Sequence, residues 1–139
     1  MGKGIALMFR EAFPANTAAY EVACKSGEVR VGRMFVTENR TLAGPRWIIN
    51  FPTKKHWRHP SKFQRVQDGL QDLKRVIVEK KIKSIALPPL GCGNGGLEWS
   101  LVRPAIDAAL SSLEGVSTIV FEPTSANQNT AKPAWTVSA

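Results

Sequence analysis

Apolar and polar positions alternate along the chain in patterns that predict helices and short strands in turn. The longest helix is predicted over residues 60–81, because apolar side chains recur there at helical spacing and Ser61 and Gln64 have capping-box spacing. Its apolar stripe consists of Phe63, Val66, Leu70, Leu73, Val76 and Ile77. A further helix is predicted over residues 97–113, with Pro104 in its early turns.

Two shorter helices are predicted at the start of the chain. The first covers residues 4–13 and stops before Pro14. The second is expected to be capped by Asn16 and to end at Gly27, since asparagine is favoured at helix starts and glycine directly after helix ends.

Four segments have the composition of strands, and they lie at residues 33–38, 46–51, 84–87 and 116–121. The second of them is apolar enough to be buried on both faces. Strands that alternate with helices predict an α/β sheet with parallel members and helices on both faces. Residues 124–139 are polar and aperiodic, so they are interpreted as a tail or the stub of a linker.

The length of 139 residues allows one domain with a substantial core. No apolar run is long enough to span a membrane, and the first residues reach an acidic side chain too early for a secretory signal. Cys24 and Cys92 have no metal-ligand spacing to each other or to a histidine. We therefore expect a cytoplasmic protein that contacts no membrane and holds no metal and no cofactor.

The positive charge of the chain is concentrated in one region. The formal net charge is +8, and residues 54–83 contain ten Lys and Arg against three Asp and Glu. This distribution indicates a basic face suited to a polyanion. The alternative for each lysine taken singly is a solvated position on a helix surface.

Two glycine-rich turns fall where a parallel sheet would bind a ligand, beyond the strand ends or at a helix start. They are residues 2–5 and residues 91–96. Such turns expose backbone N–H groups to phosphates, although neither has the dinucleotide or P-loop signature. Cys92 lies inside the second turn. It is interpreted either as a catalytic thiol or as a small residue of the loop with no chemical role.

A pair of lysines follows the second strand. The segment Asn50 to Trp57 places Lys54 and Lys55 at the end of the sheet. A lysine there either stabilises a phosphate or oxyanion as a cation, or attacks an aldehyde-like sugar carbon as a nucleophile. The alternative is a surface pair with no role in chemistry.

These motifs together resemble one family, the macrodomains. The resemblance runs through MGKGIALMFREAFP, KSGEV, GRMFVTE, NFPTKKHWR and PPLGCGNGGLEW, and it covers residues 1–123. Within the family, the chain is most similar to the DNA ADP-ribosyl glycohydrolase antitoxins of DarT/DarG type and to their human relative, the terminal ADP-ribose protein glycohydrolase. The resemblance implies a three-layer α/β/α sandwich with a mixed sheet.

The resemblance also implies an activity, the removal of ADP-ribose from thymidine in single-stranded DNA. ADP-ribose and ADP-ribosylated single-stranded DNA would be the ligands, and a cognate DarT-type toxin would be the protein partner. Lys54 would be the catalytic residue. The residues implied for ADP-ribose binding are Gly2, Lys3, Gly4, Ile5, Thr53, Pro89, Gly91, Cys92, Gly93, Asn94, Gly95, Gly96, Leu97 and Phe121. Lys55, His56, Trp57 and Arg58 would contact the DNA or its base.

The chain departs from the family pattern at two places. Gly95 stands where the human relative has the aspartate that resolves its lysine adduct, so the general base is unassigned. The family also begins with about two strands before MGKGIA, so we expect an incomplete macrodomain over residues 1–123. Two alternatives stay open, a non-catalytic ADP-ribose-binding module and a glycohydrolase that acts on glutamyl-linked ADP-ribose in proteins.

Overall fold

The computed structural model describes residues 4–54, 61–92, 96–123 and 137–138. In chain order, the elements are α1 (Gly4–Ala12), α2 (Pro14–Lys25), β1 (Phe35–Glu38), β2 (Trp47–Asn50), α3 (Phe63–Glu79), β3 (Ser84–Leu87), α4 (Trp99–Leu110), β4 (Ser117–Val120) and β5 (Val137–Ser138). None of these helices is both long enough and apolar enough to cross a membrane.

The strands form one mixed sheet in the order β1-β2-β5-β3-β4. Strands β3 and β4 are parallel, whereas β5 runs antiparallel to both β2 and β3. It follows that β2, β3 and β4 point the same way. Their carboxyl ends meet at one edge of the sheet, which we call the carboxyl edge, and this confirms the expected parallel members.

Helices cover both faces of the sheet. Residues of α3, α4, β3 and β4 share one apolar core, and Trp47, Ile49 and Phe51 from β2 and its exit pack against it. On the opposite face, α2 lies against β1, where the rings of Tyr20 and Phe35 meet edge to face with centroids 5.8 Å apart. The three-layer arrangement places α3 and α4 on one side and α2 on the other.

The apolar stripe of α3 is confirmed, but its predicted cap is wrong. Five of the six predicted stripe residues are at most 3% exposed, and Phe63 is half-buried. The helix begins at Phe63 with Lys62 as N-cap and no side-chain cap. Ser61 instead donates a hydrogen bond to the Thr53 hydroxyl, and Gln64 donates to Asp68. Both side chains therefore have partners that compete with the helix start.

Asn16 is not the cap of α2. The helix begins earlier, at Pro14, because proline suits the first turn, where its missing N–H has no intrahelical partner. Asn16 therefore lies inside the helix and is buried. The predicted end is confirmed, since Gly27 adopts a positive φ of 76° and the amide of Glu28 bonds back to the carbonyl of Ala23.

Three other predictions differ from the structure in detail. Only Ile48 of β2 is fully buried, so burial of that strand on both faces is partial. Helix α4 is shorter than the predicted 97–113, and Pro104 is its sixth residue. Within the segment interpreted as a tail, Val137 and Ser138 pair with β3, and Val137 also pairs with Trp47. Without β5, strands β2 and β3 would each present unpaired backbone groups to the gap between them, and β5 pairs with both. The hydropathy pattern along the chain does not reveal such a gap.

Asp72 links β1 to the core helix. Its carboxylate accepts a 2.7 Å hydrogen bond from the Met34 amide and bonds to the Arg75 guanidinium. Burial raises the pKa of this carboxyl, but the hydrogen bonds from Arg75 and Met34 and the charges of Arg75 and Arg33 outweigh it and lower the pKa. The folded state therefore favours the ionised form.

We expect Asp72→Asn to lower the free energy of unfolding by about 1–2 kcal/mol at neutral pH, because it removes a charge from these hydrogen bonds. A lowered folded pKa contributes stability above the unfolded pKa of about 4 and loses it as the pH falls through the folded pKa. The deficit should therefore shrink in acid. Urea unfolding of parent and variant at several pH values measures it. Asp107→Asn, which breaks an exposed ion pair with Arg103, should cost under about 0.5 kcal/mol, and an equal loss in both variants would contradict the prediction.

Candidate functional site

The exits of three strands lie together at the carboxyl edge. Residues 51–54 follow β2, residues 88–92 follow β3, and Phe121 follows β4. The amide of Phe121 donates a 2.9 Å hydrogen bond to the carbonyl of Leu87, which keeps the last two exits side by side. The carboxyl edge of parallel strands is where α/β sheets bind ligands.

The glycine-rich loop after β3 is closed at its base. The amide of Leu97 donates to the carbonyl of Gly91 at 3.0 Å, and Cys92 and Leu97 form a parallel bridge. The amide of Cys92 also donates to the carbonyl of Pro89 at 3.1 Å. These bonds hold the two ends of the loop together beside the start of α4.

Gly91 is required by both its backbone and its surroundings. Its φ is 72°, and a Cβ there would lie 2.6 Å from Leu97 Cδ1 and 3.3 Å from Val66 Cγ2. Any other residue would be strained and would also displace Leu97. Since Val66 belongs to the first turns of α3, the base of the loop packs directly on the start of that helix.

The exit of β2 is anchored on α3 through Phe51. Its ring lies where a Cβ of residue 69 would be, so the side chain of any residue other than Gly69 would overlap with the ring. Glycine in a helix interior costs about 1 kcal/mol relative to alanine. Here it allows close contact between the helix backbone and the residue three positions before Lys54.

On the other face, a polar network anchors the same exit on α2. The side-chain amides of Asn16 and Asn50 exchange hydrogen bonds of 3.1 and 2.9 Å. Thr37 donates to Asn16 at 2.6 Å, and Asn50 also donates to the carbonyl of Phe35. Because buried amides are costly when unpaired, this network fixes the position of α2 relative to β1 and β2.

Thr53 and Lys54 are half-buried at the end of this anchored segment. The Thr53 hydroxyl lies 3.2 Å from the hydroxyl of Ser61, which is 6% exposed. This bond joins the segment after β2 to the chain just before α3. Lys54 therefore directly follows Thr53, which is held by Ser61 on one side and follows the anchored residue Phe51 on the other.

The structure places the other predicted site residues as follows. Pro89, Leu97 and Phe121 are half-buried at the carboxyl edge, and Gly96 follows the loop with a φ of 81°. Gly4 and Ile5 form the first turn of α1, which packs on α2. The predicted residues Gly2, Lys3, Lys55, His56, Trp57, Arg58, Gly93, Asn94 and Gly95 lie outside the described residues.

Cys92 is a half-buried free thiol. Burial raises the pKa of its thiol above the ordinary value, so the neutral form is favoured. Its sulfur lies 3.7 Å from the carbonyl of Leu90. A protonated thiol is a weak nucleophile, which favours the interpretation of Cys92 as a loop residue. Within the ranges that the structure describes, no group of His, Cys, Asp and Glu could hold a metal ion.

Sequence reasoning missed the residues that position the site. Asn50 and Ser61 are polar residues beside apolar segments, and Gly69 interrupts the stripe of a long helix. Such departures from the apolar pattern were the features of the sequence that could have indicated these residues. Arg65 is a further example, because its Nη1 atom is buried and has no hydrogen-bond partner among the described residues. An unpaired buried guanidinium N–H beside the start of α3 is able to bind an anion.

The family follows from comparison with known proteins. The family model of the Macro domain matches residues 1–106. The chain belongs to the macrodomain family. Its mixed sheet between helical layers is the macrodomain fold expected from the resemblance.

Three related macrodomain proteins are informative. The DNA ADP-ribosyl glycohydrolase of Thermus aquaticus is 57% identical over 88% of this chain and 34% of its own length. The solved macrodomain of Mycobacterium tuberculosis DarG has a TM-score of 0.88 at 52% identity, covering 89% of this chain and 82% of that one. Thermosipho africanus DarTG in complex with ADP-ribose has a TM-score of 0.81 at 32% identity, covering 95% of this chain and 36% of that one. The chain spans about a third of the length of the curated relatives that it matches.

We expect Gly69→Ala to destabilise this macrodomain by about 1–3 kcal/mol, although alanine is the better helix former, because the methyl group would displace the Phe51 ring. Thermal unfolding measures the effect. The double variant Phe51→Leu/Gly69→Ala should be less destabilised than the sum of its single variants, since leucine vacates part of the overlap. A higher melting temperature for Gly69→Ala would contradict the prediction.

Proposed function

We propose that this macrodomain is a DNA ADP-ribosyl glycohydrolase, which removes ADP-ribose from thymidine in single-stranded DNA. The observation that carries the proposal is the convergence of Lys54, the glycine-rich loop and Phe121 at the carboxyl edge. The high identity to a protein of that name supports the choice of substrate.

In this proposal, the glycine-rich loop wraps the diphosphate and the first turn of α1 holds the distal ribose. Backbone N–H groups at a glycine turn suit phosphate oxygens, because no Cβ blocks their approach. Phe121 lies against the adenine, where an aromatic ring offers a flat apolar surface. Thr53 and Lys54 face the distal ribose from the exit of β2. The solved complex of a relative with ADP-ribose supports the ligand class.

The reaction breaks one bond and forms another. The bond between C1″ of the distal ribose and the thymine nitrogen is cleaved, and the base leaves with the electron pair and takes up a proton. Lys54 lies beside C1″ as a cation, forms no bond to it, and stabilises the negative charge that develops on the departing base. A water oxygen then bonds to C1″ and loses its proton, so the products are ADP-ribose and unmodified thymidine. Gly95 offers no carboxylate, so we assign activation of the water to the substrate itself.

The DNA strand would lie along the basic surface near Lys54. The predicted contacts Lys55, His56, Trp57 and Arg58 combine positive charge with an aromatic ring, and this combination suits a single strand.

We also propose a protein partner and a location. A DarT-type toxin that attaches the ADP-ribose is the proposed partner, and a relative that fuses a DNA ADP-ribosyl transferase to a glycohydrolase supports it. The cytoplasm is the proposed location, since Cys24 and Cys92 are both free thiols.

We expect Lys54→Ala to abolish turnover, with kcat at least about a hundredfold lower, while ADP-ribose still binds with an affinity near that of the parent. The assay incubates each protein with a single-stranded oligonucleotide that carries ADP-ribosyl-thymidine and resolves the product by gel mobility. Calorimetry measures the binding of ADP-ribose. Lys83→Ala is the matched control, because Lys83 precedes β3 and therefore lies at the opposite edge of the sheet. Unchanged turnover in Lys54→Ala would reject the role of this lysine.

The same assay separates the alternatives. A glutamyl-linked ADP-ribosyl peptide is offered beside the thymidine-linked oligonucleotide, and we expect cleavage of the oligonucleotide alone. The absence of the aspartate at position 95 disfavours the glutamyl substrate. Binding of ADP-ribose without cleavage of either substrate would favour the non-catalytic binding module.

A further inference from the structure

A hydrogen bond joins Ser61 to Thr53, the residue directly before Lys54. The two hydroxyl oxygens lie 3.2 Å apart, and the residues are eight positions apart in the chain. Ser61 is 6% exposed and Thr53 is half-buried, so water competes weakly for this bond. The residues between Lys54 and Ser61 lie outside the described part of the chain.

Ser61 is firmly held because it directly precedes the core helix. It lies two residues before Phe63, the first residue of α3. Pro52, which precedes the bonded Thr53, is buried as well. The amide of Arg65 bonds to the carbonyl of Lys62, which orders the chain between Ser61 and the helix. The serine hydroxyl is therefore a fixed point from which Thr53 is held.

The bond acts one residue from the proposed catalytic lysine. Phe51 packs on Gly69 and Asn50 bonds to Asn16 and Phe35, so these two residues restrain the segment before Pro52, whereas the bond of Ser61 acts on Thr53 itself. A shift of about 1 Å in a catalytic group can cost a factor of about 100 in rate. The Ser61 hydroxyl is placed to prevent such a shift at Lys54.

We propose that Ser61 is a positioning residue that holds Thr53, and through it Lys54, in the geometry needed for cleavage. This inference rests on the proposed glycohydrolase function. Ser61 donates this bond, so the Thr53 hydroxyl keeps its own proton for another acceptor. Ser61 is not among the residues proposed to contact ADP-ribose, so its loss is expected to act on the rate of cleavage more than on the binding of ADP-ribose.

The test compares Ser61→Ala, Thr53→Val and the double variant with the parent. We expect kcat to fall about 10- to 100-fold in Ser61→Ala, while the dissociation constant for ADP-ribose stays within about twofold. The double variant should be no slower than the slower single variant, since both changes remove the same bond. Thr53→Ser keeps a hydroxyl and should recover most of the rate that Thr53→Val loses. Ser111→Ala is the matched control, because Ser111 is exposed and follows the far end of α4.

Three outcomes would overturn the proposal. They are an unchanged kcat in Ser61→Ala, a parallel loss of ADP-ribose affinity that shows a general structural defect, and strictly additive losses in the double variant. All variants are assayed below their measured melting temperatures, so that a fall in the folded fraction is not mistaken for a change in rate.

A second measurement separates this inference from the proposed function. Hydrogen exchange of the amides of Thr53 and Lys54 should be faster in Ser61→Ala than in the parent and in Ser111→Ala, whether or not the parent cleaves the oligonucleotide. If the parent is inert, the glycohydrolase proposal fails while faster exchange still supports the hydrogen bond as the restraint on this segment. Unchanged exchange would overturn the positioning role directly.

Discussion

The burial of the α3 stripe against the sheet is the interaction on which the rest of the structure depends. Strands β2 and β3 are joined through β5, which is two residues long and pairs with β2 at the single position Trp47. The side chains of α3 reach across this junction, since Ile85 and Leu87 of β3 belong to the same core as α3, and Ile49 of β2 packs against that core. Each fully buried aliphatic side chain contributes about 1.5–3 kcal/mol. Packing on α3 therefore aligns two parts of the sheet that share few backbone pairs.

This alignment determines where the exit of β2 lies. Phe51 packs on the backbone of α3 at Gly69, Asn50 bonds to α2 on the opposite face, and Thr53 bonds to Ser61 at the start of α3. The three anchors act on the last residue of β2 and on the described residues that follow it, which belong to no strand. The segment before Lys54 is thus held by a side chain of α2, by the backbone of α3 and by Ser61 just before α3, so a change in either helix would be transmitted to it.

The elements of the fold were largely predictable from the sequence, whereas the contacts that position the site were not. The stripe of α3 and the turns at Gly27 and Gly91 follow from local periodicity and backbone preference, which act within a few residues. Asn16 and Ser61 looked like helix caps because their residue types favour caps. Each instead bonds to a residue from another element, Asn50 or Thr53, and such partners are known only once the chain is folded. The pairing of Val137 in the sheet was missed for the same reason.

Two kinds of interaction hold the proposed site, the close packing of apolar groups and the hydrogen bonds between side-chain amides. The base of the glycine-rich loop rests on the close packing of Leu97 and Val66 around Gly91, which leaves no room for a side chain there. The link from β2 to α2 rests on the paired amides of buried Asn16 and half-buried Asn50. A buried amide is costly as soon as one partner is lost, so this network admits few alternative arrangements. The exit of β2 is therefore held to α2 by hydrogen-bond geometry, and the base of the loop is held to α3 by packing. Lys54 follows the exit of β2, which is held to α2 by the hydrogen bonds of Asn50 and to α3 by the packing of Phe51, so its placement requires the two kinds of constraint to agree.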